Sequence, residues 1–486
     1  MIFSVEDTFP YFLVATKALI VAVSVIFLVS GLDDLFIDLC YMGKRLFRRF
    51  TACSSDIALD EARVMRAPEK PLAVMIPAWD ESAVIRPMLE NTLRTLRYGN
   101  FTLFVGTYPN DPATHKEVDD VVRRHPNVVR IVCPNNGPTN KADCLNWIYQ
   151  GIRDYEREHA VRFEIFVMQD CEDVIHPLCY KLFNYLIPAK DMVQLPVMSL
   201  PPRWWDFTAG HYLDEFAQGH YKDMVVRELL DGNIPSAGVG TAFSRRACET
   251  VARCNRGALF SIHSLTEDYD FGLSFKQHGL TQCFVKFAVT RTVRARSLLT
   301  GGRRLKRVRE YVGVREYFPS RLGASIRQKS RWVVGIVFQG WATLGWRGGL
   351  ARKYMLYRDR KALITNIANM LGYVVVAVVT GFWLASTYAE SCPCYPPLVE
   401  PGSPTWYIIL ANTALFSWRL GLRAYCVARI HGWEQSLLSA PRIVWGNVVN
   451  FAATLRAVKL YLTYVRTGRN ITWDKTAHQY PTTPGR

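Results

Sequence analysis

No CxxC pair occurs in the sequence, although 12 cysteines are scattered through its 486 residues. Single thiols at irregular spacing support neither a zinc site nor a disulfide scaffold, and they suit a reducing compartment. Zinc-finger spacing, an RNP-like aromatic motif and a long basic arm are missing too. The formal charge of +17 therefore does not point to nucleic acid. A membrane surface is the simpler partner, because cytoplasmic flanks of spans attract Lys and Arg. The N-terminus lacks the basic n-region and small-residue cleavage site of a secretory signal. It opens instead with the acidic segment MIFSVEDTF. Long apolar runs are absent from the middle of the chain and are confined to its two ends.

Tyr11 to Ser30 is mostly apolar and long enough to cross a bilayer core of about 30 Å. Lys17 interrupts it near one end, where it can snorkel. Lys44, Arg45, Arg48 and Arg49 follow, which places that flank in the cytosol and the acidic N-terminus outside. A second run covers Ala362 to Ser386. The proline-rich linker from Thr387 to Pro404 suits the outer face, so Cys392 and Cys394 are expected in an oxidising compartment. A third run starts near Thr405 and returns to Arg419, Arg423 and Arg429. The fourth, Leu437 to Leu462, carries Pro441, Arg442, Asn447, Asn450 and Arg456. Such groups are costly in lipid and face protein or water. That segment reads either as a fourth span lining a channel or as a broken interfacial helix.

Strand-like and helix-like segments alternate between the first and second spans. Leu72–Ile76, Phe101–Gly106, Val128–Cys133 and Phe163–Met168 read as strands; Ala83–Leu96 and Lys141–Arg153 read as helices. That alternation predicts a parallel sheet with helices on both faces, whose ligands bind beyond the carboxyl ends of the strands. The chemistry-bearing residues fall there. Glu81 follows the first strand, where an acidic group also suits a helix N-terminus. Lys141, after a Gly-Pro turn, can hold a phosphate or remain a surface lysine. Asp170, Glu172 and Asp173 crowd the end of the fourth strand. Their repulsion favours a hard divalent cation, Mg²⁺ or Mn²⁺, over a solvated acidic turn. Glu267 and Asp268 open a helix; if Asp268 faces the same pocket as Asp170, it can act as a general base. Gln328, Arg331 and Trp332 share one helical face within a predicted helix from Arg321 to Trp341. Such a face can clamp a diphosphate and stack a sugar, or anchor the chain at a membrane interface.

In order and spacing these motifs resemble the processive membrane glycosyltransferases of family 2, the group that includes cellulose synthase. Within it, PLAVMIPAWDE, FVGTYPNDP, KADCLN, SAGVGTAFSRRA, SLTEDYD, VREYFP, RQKSRWVVGIVFQG and WDKT resemble the glycosyltransferase portion of phage-adsorption proteins. The resemblance implies an α/β GT-A fold, a Rossmann-like nucleotide-sugar-binding domain in the cytosol, joined to an α-helical transmembrane region in the bacterial inner membrane. Its expected parts are an N-terminal span with its basic flank (1–50), the GT-A domain (51–319), interfacial helices with QxxRW (320–360), transmembrane or interfacial helices (361–462) and a tail (463–486). Glu81, Asp111, Lys141 and Asp143 are expected at the nucleotide, with Asp111 where many relatives carry an acidic turn. Asp170, Glu172 and Asp173 are expected at the metal. Asp268, beside Glu267, is expected to be the base, and Gln328, Arg331 and Trp332 to meet the diphosphate and acceptor. The implied partners are a UDP-sugar, with an N-acetylhexosamine such as N-acetylmannosamine as its sugar, a growing saccharide, the lipid bilayer and an outer-membrane or periplasmic export partner. No PilZ-type pattern is present, so direct cyclic di-GMP binding is not expected. A processive synthase, a single-addition transferase on a lipid-linked acceptor and a non-catalytic export or adsorption component are the three function classes that this pattern admits.

Overall fold

The computed structural model describes residues 5–50, 59–296, 303–388, 397–468 and 478–481. Cys392 and Cys394 lie outside them.

The chain begins with α1 (Val5–Phe50), 46 residues without a break. At 1.5 Å per residue it is about 69 Å long, roughly twice a bilayer core. The expected span ending at Ser30 is thus only its first part. Past Ser30 the helix carries Asp33 and Asp34, which pair with Arg358, Lys361 and Arg419. Those bases sit in or beside α8 (Leu350–Arg360), α9 (Ala362–Tyr388) and α10 (Pro404–His431). One acidic pair therefore ties the N-terminal helix to both later apolar helices at a single level. Among the described residues two segments are long and apolar enough to cross a membrane, Phe9–Phe47 and Leu350–Tyr388.

The middle of the chain builds a seven-stranded sheet from β1 (Leu72–Pro77), β2 (Phe101–Thr107), β3 (Val128–Val132), β4 (Ile165–Met168), β5 (Met192–Gln194), β6 (Thr241–Ser244) and β7 (Gln282–Phe284). The spatial order is β3-β2-β1-β4-β6-β5-β7. Alternation along β1 sends Leu72, Val74 and Ile76 into one core and Ala73 and Met75 into the other. Helices α2 (Ile85–Thr95), α3 (Pro112–Val122) and α4 (Lys141–His159) follow β1, β2 and β3. The strands β1 to β4 and α2 match the expected ones to within two residues, α4 runs six residues past its expected end at Arg153, and α3 answers to no helix given in the sequence expectation.

The sheet is not wholly parallel, which corrects the sequence expectation. β6 runs antiparallel to both β4 and β5. The strands responsible are three or four residues long, too short for their pattern to reveal direction. The reversal has a consequence for the site. Thr241, the first residue of β6, is paired with Met168, the last of β4. The amino end of β6, with its preceding loop, therefore joins the carboxyl ends of β1 and β4 at one edge.

Beyond the sheet come α5 (Phe207–Gln218), α6 (Glu267–Ser274) and α7 (Leu322–Val333). The expected helix from Arg321 to Trp341 is interrupted: a π-helical segment, Val334–Gln339, follows α7. The last helix, α11 (Ser439–Thr467), is continuous; the expected segment from Leu437 is broken only at Leu438, where a shorter helix, Trp433–Leu437, ends. Its polar groups meet protein. Arg442 pairs with Asp214, Asn447 donates to Tyr373, Asn450 donates to Glu215, and Arg456 donates to Ser330.

Candidate functional site

The shared edge of β1, β4 and β6 opens into a cavity of about 580 Å³. Lys141, Asp170, Glu172, Glu267, Asp268, Gln328, Arg331 and Trp332 all line it. Residues spread over nearly two hundred positions of sequence thus converge on one wall.

Each is placed by a local device. Asn140 caps α4 by accepting from the amide of Asp143 at 2.8 Å, which starts the helix at Lys141. The lysine reaches across to Asp170, with Nζ 2.6 Å from Oδ1 and 2.9 Å from Oδ2. Burial alone would lower the Lys141 pKa, but Asp170, Glu267 and Asp268 outweigh it and hold the ammonium firmly protonated. Asp268 opens α6, and its Oδ1 accepts from the amide of Tyr269 at 2.8 Å. Burial raises its pKa, and Lys141 opposes that rise. Burial also pushes Glu172 and Glu267 up, with neighbouring carboxylates adding to the effect. Asp173 is fully buried; its Oδ2 accepts from the amide of Asp170 at 2.8 Å, which bends the acidic turn.

Four expected residues stand outside the cavity wall, the buried Asp173 among them. Asp111 caps α3 by accepting from the amide of Thr114 and also accepts from the amide of Asp80. Asp143 lies in the first turn of α4. Glu81 is buried under the segment 478–481.

That segment supplies the residue that sequence reasoning missed. His478 Nδ1 lies 2.9 Å from Glu81 Oε1, and its Nε2 lies 3.2 Å from Glu172 Oε1. Burial would lower the imidazole pKa, yet Glu172 and Glu81 raise it to about 9, so the ring is cationic at neutral pH. Glu316 was also missed. It lines the cavity, and burial beside Glu172 and Asp170 pushes its pKa up to about 8. In the sequence VREYFP contains Glu316 and WDKT ends two residues before His478, but nothing in a linear pattern marks which residue turns inward.

The QxxRW face behaves as its spacing predicts. Gln328 Oε1 is buried with no partner among the described residues, which leaves an acceptor available to a ligand. Trp332 stands edge-on to Tyr212, with ring centroids 5.9 Å apart. On the far wall Tyr269 donates to Asp359, which Arg227 grips with two nitrogens at 2.7 and 2.9 Å.

The donor set at the acidic edge fits a hard cation. Asp170 and Glu172 offer only oxygen, and burial raises the pKa values of Glu172, Glu267, Asp268 and Glu316 together, with neighbouring carboxylates adding to the effect. Among the described residues, no three His, Cys, Asp or Glu side chains are already gathered in metal-binding geometry.

Bacteriophage adsorption protein B of Escherichia coli K12 is 41% identical over 482 residues, covering 99% of this chain. Bacteriophage N4 adsorption protein B of E. coli O157:H7 matches to the same extent. The chain spans 64% of the length of these relatives. Among solved structures, a mannosyltransferase from Pyrobaculum calidifontis, in complex with GDP-Man and Mn²⁺, superposes with a TM-score of 0.53. The two are 15% identical, and the match covers 91% of this chain and 99% of that one. The likeness shows a shared GT-A fold. The profile of glycosyltransferase-like family 2 matches residues 68–335, more than half of the sequence, and the chain belongs to that family.

Proposed function

We propose that the chain is an inverting glycosyltransferase of the bacterial inner membrane, moving an N-acetylhexosamine from a UDP-sugar to a growing saccharide that is then exported. The observation that carries this reading is the convergence of Lys141, Asp170, Glu172 and Asp268 with the Gln328–Arg331–Trp332 face on one cavity.

In this reading Glu81 and Lys141 hold the nucleotide end of the donor, with Asp111 and Asp143 supporting them. Asp170 and Glu172 would hold a divalent cation, braced by Asp173. The cation supplies charge neutralisation for the departing diphosphate. Arg331 and Gln328 bind diphosphate oxygens, and Trp332 stacks the acceptor sugar. Asp268 takes the proton from the acceptor hydroxyl as that oxygen attacks the anomeric carbon from the face opposite the leaving group. Its burial suits a base, because a raised pKa strengthens proton acceptance. Lys141, held protonated beside it, offsets the charge of the acidic wall.

The Pyrobaculum enzyme, solved with GDP-Man and Mn²⁺, supports a nucleotide sugar and a divalent cation on this fold. The E. coli relatives are named for phage adsorption, which suits a saccharide carried to the cell surface. The two apolar segments and the basic flanks support a membrane location with the catalytic domain in the cytosol.

The test is UDP release by purified protein, with Mg²⁺ or Mn²⁺ and a panel of UDP-sugars. Release is expected from one or a few donors, lost in EDTA and in Asp170→Ala or Glu172→Ala. Full activity in EDTA refutes the metal assignment. Product sizing then separates a polymerase, which yields long chains, from a single-addition enzyme.

A further inference from the structure

Two residues inside the QxxRW motif turn away from the cavity. Lys329 and Ser330 are both buried, and they face α5 and α11. Lys329 Nζ donates to Glu215 Oε2 at 2.5 Å and to Asn450 Oδ1 at 2.7 Å. Asn450 Nδ2 donates to Glu215 Oε1 at 2.9 Å and closes a triangle. Beside it, Arg456 donates to Ser330 Oγ at 2.9 Å. Three helices thus meet through polar atoms: Glu215 from α5, Lys329 from α7 and Asn450 from α11.

The same face of α5 reaches the acceptor stripe. Tyr212 and Phe216 lie three residues before Glu215 and one after it. Their rings stand 5.9 and 6.2 Å from that of Trp332. The Lys329 ammonium sits 4.8 Å over the Tyr212 ring.

We propose that Glu215, Lys329 and Asn450 are positioning residues that fix the rotation of α7, and so aim Gln328 and Arg331 at the departing diphosphate and Trp332 at the saccharide acceptor. This rests on the reading of that stripe as the diphosphate and acceptor site. The physical reason is leverage. A helix with its side chains is about 10–12 Å across, so turning it by 20° moves a side-chain tip by about 2 Å. A displacement of 1 Å in a reacting partner can cost about a hundredfold in rate. Other rotations are disfavoured, since they would leave a buried ammonium or carboxylate unpaired. Among the described residues, no hydrogen bond or ion pair joins the donor end of the cavity, at Lys141, Asp170 and Glu172 on the sheet edge, to the triangle. The expected signature is therefore a split: donor hydrolysis, which needs only the diphosphate contacts of α7, suffers less than transfer, which needs the acceptor stack as well.

The full chain in lipid nanodiscs is assayed with whichever UDP-sugar of the panel the wild type turns over. Donor hydrolysis, with water as acceptor, and incorporation into saccharide are measured in parallel. Asn450→Leu is expected to lower incorporation by about tenfold or more and donor hydrolysis by a clearly smaller factor. Lys329→Met behaves likewise, and Lys329→Arg, which keeps the charge and the donors, recovers most of the loss. Should Lys329→Met fail to fold, Asn450→Leu decides alone, because it leaves the ion pair intact. Equal loss of hydrolysis and incorporation, or no change in either, overturns the triangle. If the wild type releases no UDP from any donor, the glycosyl-transfer reading falls and takes the triangle with it.

Discussion

Gly238 adopts φ +75°, and a Cβ there would lie 2.4 Å from Asp268 Oδ2 and 3.3 Å from Lys141 Nζ. Gly238→Ala therefore combines left-handed backbone strain of about 1–2 kcal/mol with displacement of the proposed base. Turnover is expected to drop by about tenfold to a hundredfold while UDP still binds, as steady-state kinetics and a UDP titration would show. Asp268→Asn removes the base without the displacement. It is expected to lower kcat by about 10² to 10⁴ and leave donor affinity nearly unchanged. Collapse of donor affinity would make Asp268 a binding residue. Of the residues around this base, Lys141 and Asp170 were legible in the sequence because each sits in a compact motif at a strand end. Gly238, Glu316 and His478 were not, since their roles depend on which distant side chain each one faces.

At the scale of the element, α7 has two working faces. Trp332→Ala is expected to shorten the product more than it weakens UDP binding, because an indole contributes stacking to a sugar. Normal product length with weakened UDP affinity would assign the ring to the donor. On the other face, burial by itself would raise the Glu215 pKa. Lys329, with a hydrogen bond from Asn450, overrides it and holds the carboxyl at about 2. A carboxyl depressed in the folded state adds stability above its unfolded pKa of about 4.5, and that stability fades as pH falls towards 2. Melting curves of wild type and Glu215→Gln should thus differ most near neutrality, draw together below about pH 4.5 and converge only near pH 2. A constant gap would show that Lys329 does not hold the charge of Glu215. The spacing of Gln328, Arg331 and Trp332 was enough to predict the first face. It could not reveal the second, because Glu215 and Asn450 lie 114 and 121 positions from Lys329.

For the whole molecule, Asp33 and Asp34 gather Arg358, Lys361 and Arg419 from helices far apart in sequence. In the proposed topology these five charges, clustered at one level, lie at the cytosolic boundary, since lipid would not hold them. The proposed topology then places the catalytic domain wholly on that side. Cys254 is a free, exposed thiol of that domain. A membrane-impermeant thiol reagent is expected to modify it only after permeabilisation; labelling in intact cells would reverse the orientation.

The sequence by itself determined the elements whose pattern is local: the apolar helices, the first four strands with α2 and α4, and motifs at strand ends whose chemistry resides in adjacent residues. Periodicity and charge bias suffice there, because neighbours in sequence are neighbours in space. Tertiary structure alone decided the direction of β6, the approach of Gly238 to Asp268, the seating of His478 between Glu81 and Glu172, and the partners of the polar groups in α11. From sequence, Asn447, Asn450 and Arg456 suited a channel-lining span as well as a broken interfacial helix. The physical reason is that a buried polar group requires a partner without specifying which one. Only the packing of α5, α7 and α11 supplies it.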